Sequence, residues 1–515
     1  MDLTANLILG GQNLLNCLNP EVNYLPYWQM AVDENHFGQY QFRRYCTGHN
    51  VGRWWNTMLR LERSTGFGIP AEVESAMLEN SWRLADNPTG IFLEDIDPKD
   101  PATWYIHSYR ETMLSFGLLA GLRSSASARD HGLLAIERMS RASENPNCWR
   151  LAGGVGPPIS KTGRSGEPAY THGRAIEGLL CFYEETGETA ALEEAERLAE
   201  FHFLHTVSSD GTLAEGCGHH THSYLNTIRG LIGIAGLKRD TRRLQQLHQT
   251  YQRTISQMIT RSGFITHDIG ARHGGDIASA GDIAHIALLL WDHFKDPRLL
   301  DDAERIVRSR LIPAQVSEPV EIQPVRNEPL DCFRDLNTRF VGAIGGAVGH
   351  IRGVTCVTDF TAAALHSLTE IYDRVVEVED EAVRINFHFT RKLPAVRVKS
   401  ARDETTASVS VVNQTGKDMF IRIPLWVPLD TINLTADARP VKPDLRDGFA
   451  FVPRGGDRQQ VELRYGLPTC CDEEDWRDED ATQESVSLTW RGDEVLSVDV
   501  GGPYLSPHLK VCRRL

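Results

Sequence analysis

The sequence predicts a mainly helical protein, an (α/α)6 barrel of helical hairpins followed by an antiparallel β-sandwich. Three observations predict it. Helical segments that are apolar almost all round alternate with amphipathic ones through the first three-quarters of the chain. The pairs recur about every 50–60 residues, as stacked helical hairpins do. After Asp373 the hydrophobic period changes from 3.6 to 2, the change from helix to strand.

The apolar segments are 48–62, 108–122, 172–187, 221–237, 281–294 and 358–373. A helix without a polar face has to be buried, so these six are read as the inner ring. The amphipathic segments 71–86, 128–142, 191–205, 240–259 and 296–312 carry charges on one face and are read as the outer ring. That leaves one outer place vacant, and the N-terminal segment 3–18 is the candidate for it. From 376 onward, runs such as MFIRIPLWV and QQVELRYG are short, β-branched or aromatic, and bounded by Gly, Asn, Asp and Pro. The expected division is a catalytic barrel over 1–375 and a sandwich over 376–515. Within the latter, the acidic stretch 472–480 is expected to be loosely ordered, with a last hairpin after it.

Composition narrows the function. The 515 residues carry a net charge of −15 with no basic stripe to offset it, which argues against a nucleic-acid partner. No run of 18 apolar residues suggests a membrane span. The N-terminus has an acidic second residue and no basic region, so no secretory signal is read there. The ten cysteines (Cys17, Cys46, Cys148, Cys181, Cys217, Cys332, Cys356, Cys470, Cys471, Cys512) lack both C-x-x-C and disulfide-scaffold spacing. The expectation is a cytoplasmic protein, and a homo-oligomer is compatible with it.

In such a ring the inner helices run the same way, so their N-termini meet at one mouth. The polar residues there are His49; Trp104, Tyr105, His107 and Glu111; Tyr170, His172 and Arg174; His219, His220, His222 and Tyr224; Asp276 and Asp282; and Thr355, Cys356 and Asp359. Histidines recur at four of the six starts. Imidazole both donates to and accepts from hydroxyls, and aromatic rings cover the apolar face of a sugar, so the constellation points to carbohydrate. Asp at a helix start is equally a plain N-cap, which is the competing reading of Asp282 and Asp359. The spacing of GHHTH (218–222) does not put its imidazoles on one helical face, so it is not read as a metal site. The glycine-rich stretch 270–282 follows no strand and is read as a loop carrying His273, Asp276 and Asp282 to the mouth. Cleaving a glycosidic bond takes two carboxyl groups, for which Asp268, Asp276 and Asp282 are the candidates and Glu111 a further one.

Several stretches resemble the β-L-arabinofuranosidase-type glycoside hydrolases. These are THGRAIEGLLCFYEETGETAALEEAERLAEF, GHHTHSYLNTIRGLIGIA, IAHIALLLWDHFKDPRLLDDAERIVRSRLIPAQ, and MFIRIPLWV with GFAFVPRGGDRQQVELRYGLP. The resemblance implies an (α/α)6 barrel with a sandwich and release of a sugar from a non-reducing end. It also implies a zinc held by a Glu-x-Cys motif and a Cys-Cys pair whose first cysteine is the nucleophile. Here Gly281-Asp282-Ile283 and Thr355-Cys356 stand at those places, so the zinc ligands are missing. No metal and no cofactor are expected. A one-residue slip in the alignment would put Cys356 at the nucleophile position.

The reading is therefore an exo-acting, metal-independent glycoside hydrolase acting on an oligosaccharide or glycoconjugate. Asp276 and Asp282 are its acid, base or nucleophile, with Cys356 the candidate that the resemblance adds. His49, His107, His172, Arg174, His222, Tyr224 and Asp359 are its substrate-binding residues. Two alternatives remain open at this point. One is a lyase acting on uronates, with His222 or Tyr224 as base and Arg174 neutralising the carboxylate; the other is a sugar-binding protein without catalysis.

Overall fold

A computed structural model describes residues 1–32, 37–41, 47–94, 106–142, 169–214, 217–270, 276–319, 323–324, 334–345, 354–477 and 483–499. Twelve long helices build the ring: α1 (Leu3–Asn16), α2 (Thr47–Thr65), α3 (Ala71–Ala85), α4 (Tyr109–Arg123), α5 (Ala126–Ala142), α6 (Ala175–Thr186), α7 (Thr189–His205), α8 (Thr221–Leu237), α9 (Thr241–Arg253), α10 (Ile277–Phe294), α11 (Pro297–Ile306) and α12 (Thr358–Asp373). The inner helices α2, α4, α6, α8, α10 and α12 each pack on the next, and α12 returns to α2 to close the circle. Five outer helices follow their inner partners, and α1 takes the sixth outer place against α12 and α2, as the sequence suggested.

Small residues let the inner helices approach. A Cβ on Gly117 of α4 would lie 2.8 Å from the Phe182 Cα, and one on Gly178 of α6 would lie 2.6 Å from the Arg110 carbonyl oxygen. The two helices meet almost backbone to backbone, and a methyl group at either position has no space. Two helix starts and ends differ from the sequence reading. Ala169–Gly173 forms a wide π-type turn before α6, and Val307–Leu311 forms another after α11.

A four-stranded sheet that the sequence did not announce sits at the N-terminal end of α12. Its strands are β1 (Gln29–Val32), β2 (Phe37–Gln41), β3 (Gln323–Pro324) and β4 (Val354–Val357), in the order β3-β2-β1-β4. The partners are short and far apart in the chain, so no local period marks them. Just beyond this pairing, the Thr358 amide at the start of α12 donates to the Trp28 carbonyl.

The sandwich follows. One sheet runs Arg439–Val441, Asn433–Ala436, Gln459–Gly466, Thr406–Asn413, Val396–Arg402, Arg391–Lys392; the other runs Asp444–Arg446, Phe449–Val452, Asp418–Arg422, Ala382–Ile385, Val376–Val378. All neighbours are antiparallel except Asp418–Arg422 beside Ala382–Ile385. Inward residues alternate along the long strands, as Val409 and Val411 facing Leu463 and Val461 show. Glu304 of α11 ties this layer to the barrel: it accepts from Arg308 at 2.7 Å, from Arg422 and from the His388 amide. The acidic stretch is not loose where it is described. Asp472–Arg477 belongs to the strand Thr469–Arg477, which pairs with Gln483–Arg491 and through it with Glu494–Asp499. Phe264 of the barrel packs into the apolar face of that sheet with Val486, Leu488 and Trp490. No described helix is long and apolar enough to cross a membrane.

Candidate active site at the mouth of the ring

Polar residues recur every three or four positions along the inward stripe of helices that otherwise read as apolar: His49, Arg53, Asn56 and Arg60 on α2, then His222, Asn226 and Arg229 on α8. The ring interior is therefore ionic. Glu111 of α4 is fully buried and accepts from Arg110 at 2.7 Å and Arg174 at 2.6 Å, with Arg53 at 3.3 Å. Burial opposes its charge, but these guanidinium groups and His49 outweigh the penalty and hold the carboxyl well below its ordinary range. The glycine at position 52 leaves room for it, since a Cβ there would fall 2.6 Å from the Glu111 Cβ.

Below this layer Arg110 donates to Glu177 at 2.7 Å, and Arg229 bridges Glu177 and Asp282, the latter at 2.9 Å. Deeper still, Asn56 bonds His366 at 3.1 Å and Arg60 pairs with Glu370 at 2.5 Å. Below the mouth, the barrel axis is filled with paired charges.

Three aspartate–imidazole pairs surround that mouth. Asp359 of α12 meets the Nε2 of His49 at 3.1 Å, and the Nδ1 of the same ring faces Glu111 at 3.4 Å. Asp282 of α10 meets the Nδ1 of His222 at 2.5 Å. Asp276 lies 3.7 Å from the Nδ1 of His267. Around the rim, His49 stacks on His107 at 5.0 Å, His107 on Tyr170 at 4.3 Å, and Tyr170 packs edge-on against His220 at 5.1 Å, with Trp28 beside it.

The tautomers follow from the donors. Arg53 can only donate, and it contacts the Nε2 of His222, so that nitrogen accepts and Nδ1 carries the proton toward Asp282. Asp282 then accepts from His222, from Asn226 at 2.9 Å and from Arg229, and it is a carboxylate. Burial lifts its pKa above the usual value, and Arg229, Arg110 and Arg53 work against that rise. Burial, and then the Arg53 charge, push His222 well below the ordinary imidazole range. His107 is held in the same way: Arg174 donates to its ring and the Tyr170 carbonyl accepts from Nδ1 at 3.0 Å, while burial and Arg174 keep it neutral.

Several sequence assignments change here. Asp276, not Asp282 or Asp359, is the N-cap: its carboxylate accepts from the amides of Ala278 and Ser279 at the start of α10, and from the Ser279 hydroxyl at 2.8 Å. Asp282 lies inside the helix, facing the axis. The ring nitrogens of His107 and His222 already serve arginines, so these histidines do not stand open to hydroxyls. Arg174 is engaged by Glu111 and is not a free cation for a uronate. His172 lies away from the mouth histidines, against His202 at 3.1 Å and Phe201 on the outer helix α7. Tyr224 stands two residues past His222, about 200° round the helix, and burial first and Cys217 second raise its hydroxyl above the ordinary range. Cys356 is buried in β4, where burial first and Cys17 second raise its thiol well above the ordinary range, so it is not held as a thiolate. His220 caps α8 by accepting from the Ser223 amide at 3.2 Å. Trp104, Tyr105 and His273 lie outside the described residues.

The sequence reading missed Arg53, Arg110, Arg229, Glu177 and Asn226. Their three- and four-residue spacing on otherwise apolar helices was the signal for them. The residues standing at the family's zinc positions do not fit the metal. A side chain at Gly281 would meet the Ser367 hydroxyl 3.0 Å from its Cβ, the Asp282 oxygens are taken by three donors, and Cys356 is a buried thiol.

No family model and no curated protein matches the chain. Solved structures do, at the level of fold. A GH127 β-L-arabinofuranosidase from Geobacillus stearothermophilus T6 superposes with a TM-score of 0.56 and 12% identity, over 87% of this chain and 76% of that one. A structure described as a glycoside hydrolase gives 0.56 and 11%, over 91% and 83%. A glycoside hydrolase family 76 mannosidase from Bacteroides thetaiotaomicron VPI-5482 gives 0.50 and 9%, over 72% of this chain and 99% of that one. The family resemblance read from the sequence thus holds for the fold, barrel and sandwich together.

Proposed function

We propose that the protein is a glycoside hydrolase that releases a terminal sugar, working without a metal through aspartate–imidazole pairs. The observation that carries this reading is the convergence of Asp359–His49, Asp282–His222 and Asp276–His267 on one blind mouth. A barrel plugged from below by Arg110, Glu177 and Arg229 admits a chain end and not a chain interior, which favours exo-action. The fold likeness to glycoside hydrolases supports the same choice.

Among the three carboxylates, Asp359 is the one with an oxygen left over. Its Oδ2 bonds His49 while its Oδ1 has no partner, and the residue is 5% exposed. Burial alone would raise it, but the hydrogen bond and charge of His49 hold it below the usual carboxylate value, as a base or nucleophile requires. Asp276, with the half-buried His267 beside it, supplies the second proton-transfer pair across the mouth. Asp282 acts through His222 and Arg229 as a positioning residue. The elimination reading loses its parts, because Tyr224 faces away and Arg174 is committed to Glu111.

The test is release of sugar from a panel of aryl glycosides and short oligosaccharides, with and without EDTA. Turnover that survives EDTA and falls roughly 10²–10⁴-fold in Asp359→Asn is expected. A conjugated ultraviolet-absorbing product would make it a lyase, and binding without turnover would make it a sugar-binding protein.

A further inference from the structure

Unsatisfied polar atoms inside a folded protein are uncommon, and a group of them in one place marks where something else binds. Three lie together on the seam between α2 and α12. Asn50 is 2% exposed and its side-chain amide makes no hydrogen bond to the protein, its Oδ1 being wholly buried. The Thr358 hydroxyl, 3% exposed, and the Asp359 Oδ1 are likewise without partners. Helical phase places them side by side. Thr57, seven residues after Asn50 on the same stripe of α2, donates to the carbonyl of Ala362, four residues after Thr358 on the facing stripe of α12. The contacts His49–Asp359, Asn56–His366 and Arg60–Glu370 each join residues 310 apart in the chain, so Asn50 falls within a turn of Thr358 on the same seam at the mouth, next to Asp359 and its partner His49. Trp28, whose carbonyl takes the Thr358 amide, borders the seam on the outside.

We infer that Asn50, Thr358 and Asp359 form a sugar subsite, and that its occupant is a neutral sugar presenting adjacent hydroxyls and not a uronate. The inference rests on the glycosidase reading for its setting and deepens it by naming the substrate class. The amide and the hydroxyl can each donate and accept, while the Asp359 oxygen can only accept, so a pair of sugar hydroxyls satisfies all three. Among the described residues an anionic sugar finds no unpaired cation here. Each of the five arginines described in the ring interior is bound to a carboxylate, Arg53 and Arg174 to Glu111, Arg110 to Glu111 and Glu177, Arg229 to Glu177 and Asp282, and Arg60 to Glu370. Among the described residues, the charge with an oxygen left over at the seam is negative, that of Asp359.

The experiment is calorimetric titration of the full chain with methyl glycosides of neutral pentoses and hexoses and with the matching methyl uronosides, for wild type, Asn50→Ala and Thr358→Val. At least one neutral glycoside should bind. Each substitution should weaken it roughly five- to tenfold, the effect of one ordinary hydrogen bond. Thr358→Val should leave the ligand-free melting temperature unchanged or raised, because it removes an unsatisfied buried hydroxyl; a merely structural threonine would lower it. Tighter binding of a uronoside than of its neutral counterpart, no binding by any sugar, or wild-type affinity in both variants would each overturn the subsite. Binding that depends on Thr358 without turnover would leave the subsite standing and remove the hydrolase, whereas turnover confined to uronosides would do the reverse.

Discussion

Replacing Asp282 by asparagine exchanges one oxygen for an amino group, yet the surroundings make it a severe change. The carboxylate accepts from His222 at 2.5 Å, Asn226 at 2.9 Å and Arg229 at 2.9 Å, at 1% exposure. An asparagine offers one acceptor where three donors converge, and its amino group points at one of them. Arg229 keeps Glu177 but loses its second counter-charge in a place water does not reach. Breaking one partner out of a buried charge pair costs about 3–5 kcal/mol. Asp276→Asn, six positions earlier, makes the same chemical exchange at an N-cap, where asparagine serves nearly as well. Its cost is at most about 1 kcal/mol, chiefly the lost attraction to the helix dipole. Urea unfolding followed by tryptophan fluorescence should therefore separate the two variants clearly, with Asp282→Asn far the weaker. Activity should divide them differently: both fall, Asp276→Asn at a stability within about 1 kcal/mol of the wild type. Equal stability of the two variants, or a larger loss in Asp276→Asn, would refute the assignment of cap and core.

The other expectations are measurable with the same preparations. Cys356→Ser should keep turnover within roughly threefold, since a buried thiol without a base beside it is not a nucleophile; an inactive variant would restore the cysteine mechanism. Gly178→Ala should cost about 1–3 kcal/mol in urea, because its methyl group would overlap the Arg110 carbonyl of the neighbouring helix. Stability should fall on acidification in two stages. His388, buried neutral with its pKa pushed down to about 3, contributes above the ordinary histidine value and loses that contribution as pH drops below roughly 6.5. Glu177 is held at about 2 because Arg110 and Arg229 outweigh its burial, and its contribution drains away below roughly 4.5. Unfolding midpoints measured from pH 8 to 3 check both stages, and His388→Gln should shrink the first without abolishing it, because His107 and His222 are also buried neutral and contribute to it.

The ring was legible because burial writes itself into period and composition. The segments 221–237 and 358–373 read as apolar and are the helices α8 and α12 to the residue. That several mouth residues would meet was also legible, since parallel inner helices leave no other arrangement. Their partners were not. His107 and His222 were read as sugar contacts, when each is occupied by an arginine from another helix, and arginine within an apolar helix carries no local mark of what it binds. The competing cap reading was attached to Asp282 and belonged to Asp276, because the start of α10 lies four residues before the segment that the sequence delimited. The sheet β1–β4 escaped because its pairing joins residues near 30 to residues near 355, and no window of sequence spans that.

That same pairing sets an order of events on the ribosome. The first thirty residues complete their packing only when α12 exists: α1 packs on α12 as well as on α2, and Gln29–Val32 pairs with Val354–Val357 as well as with Phe37–Gln41. Synthesis takes roughly 20–70 s to reach that point at 5–20 residues per second. Until then the ring lacks its closing helix, and His49 lacks Asp359 beside it. Closure is a late, long-range step, and a truncation before α12 should leave a species that chaperones retain.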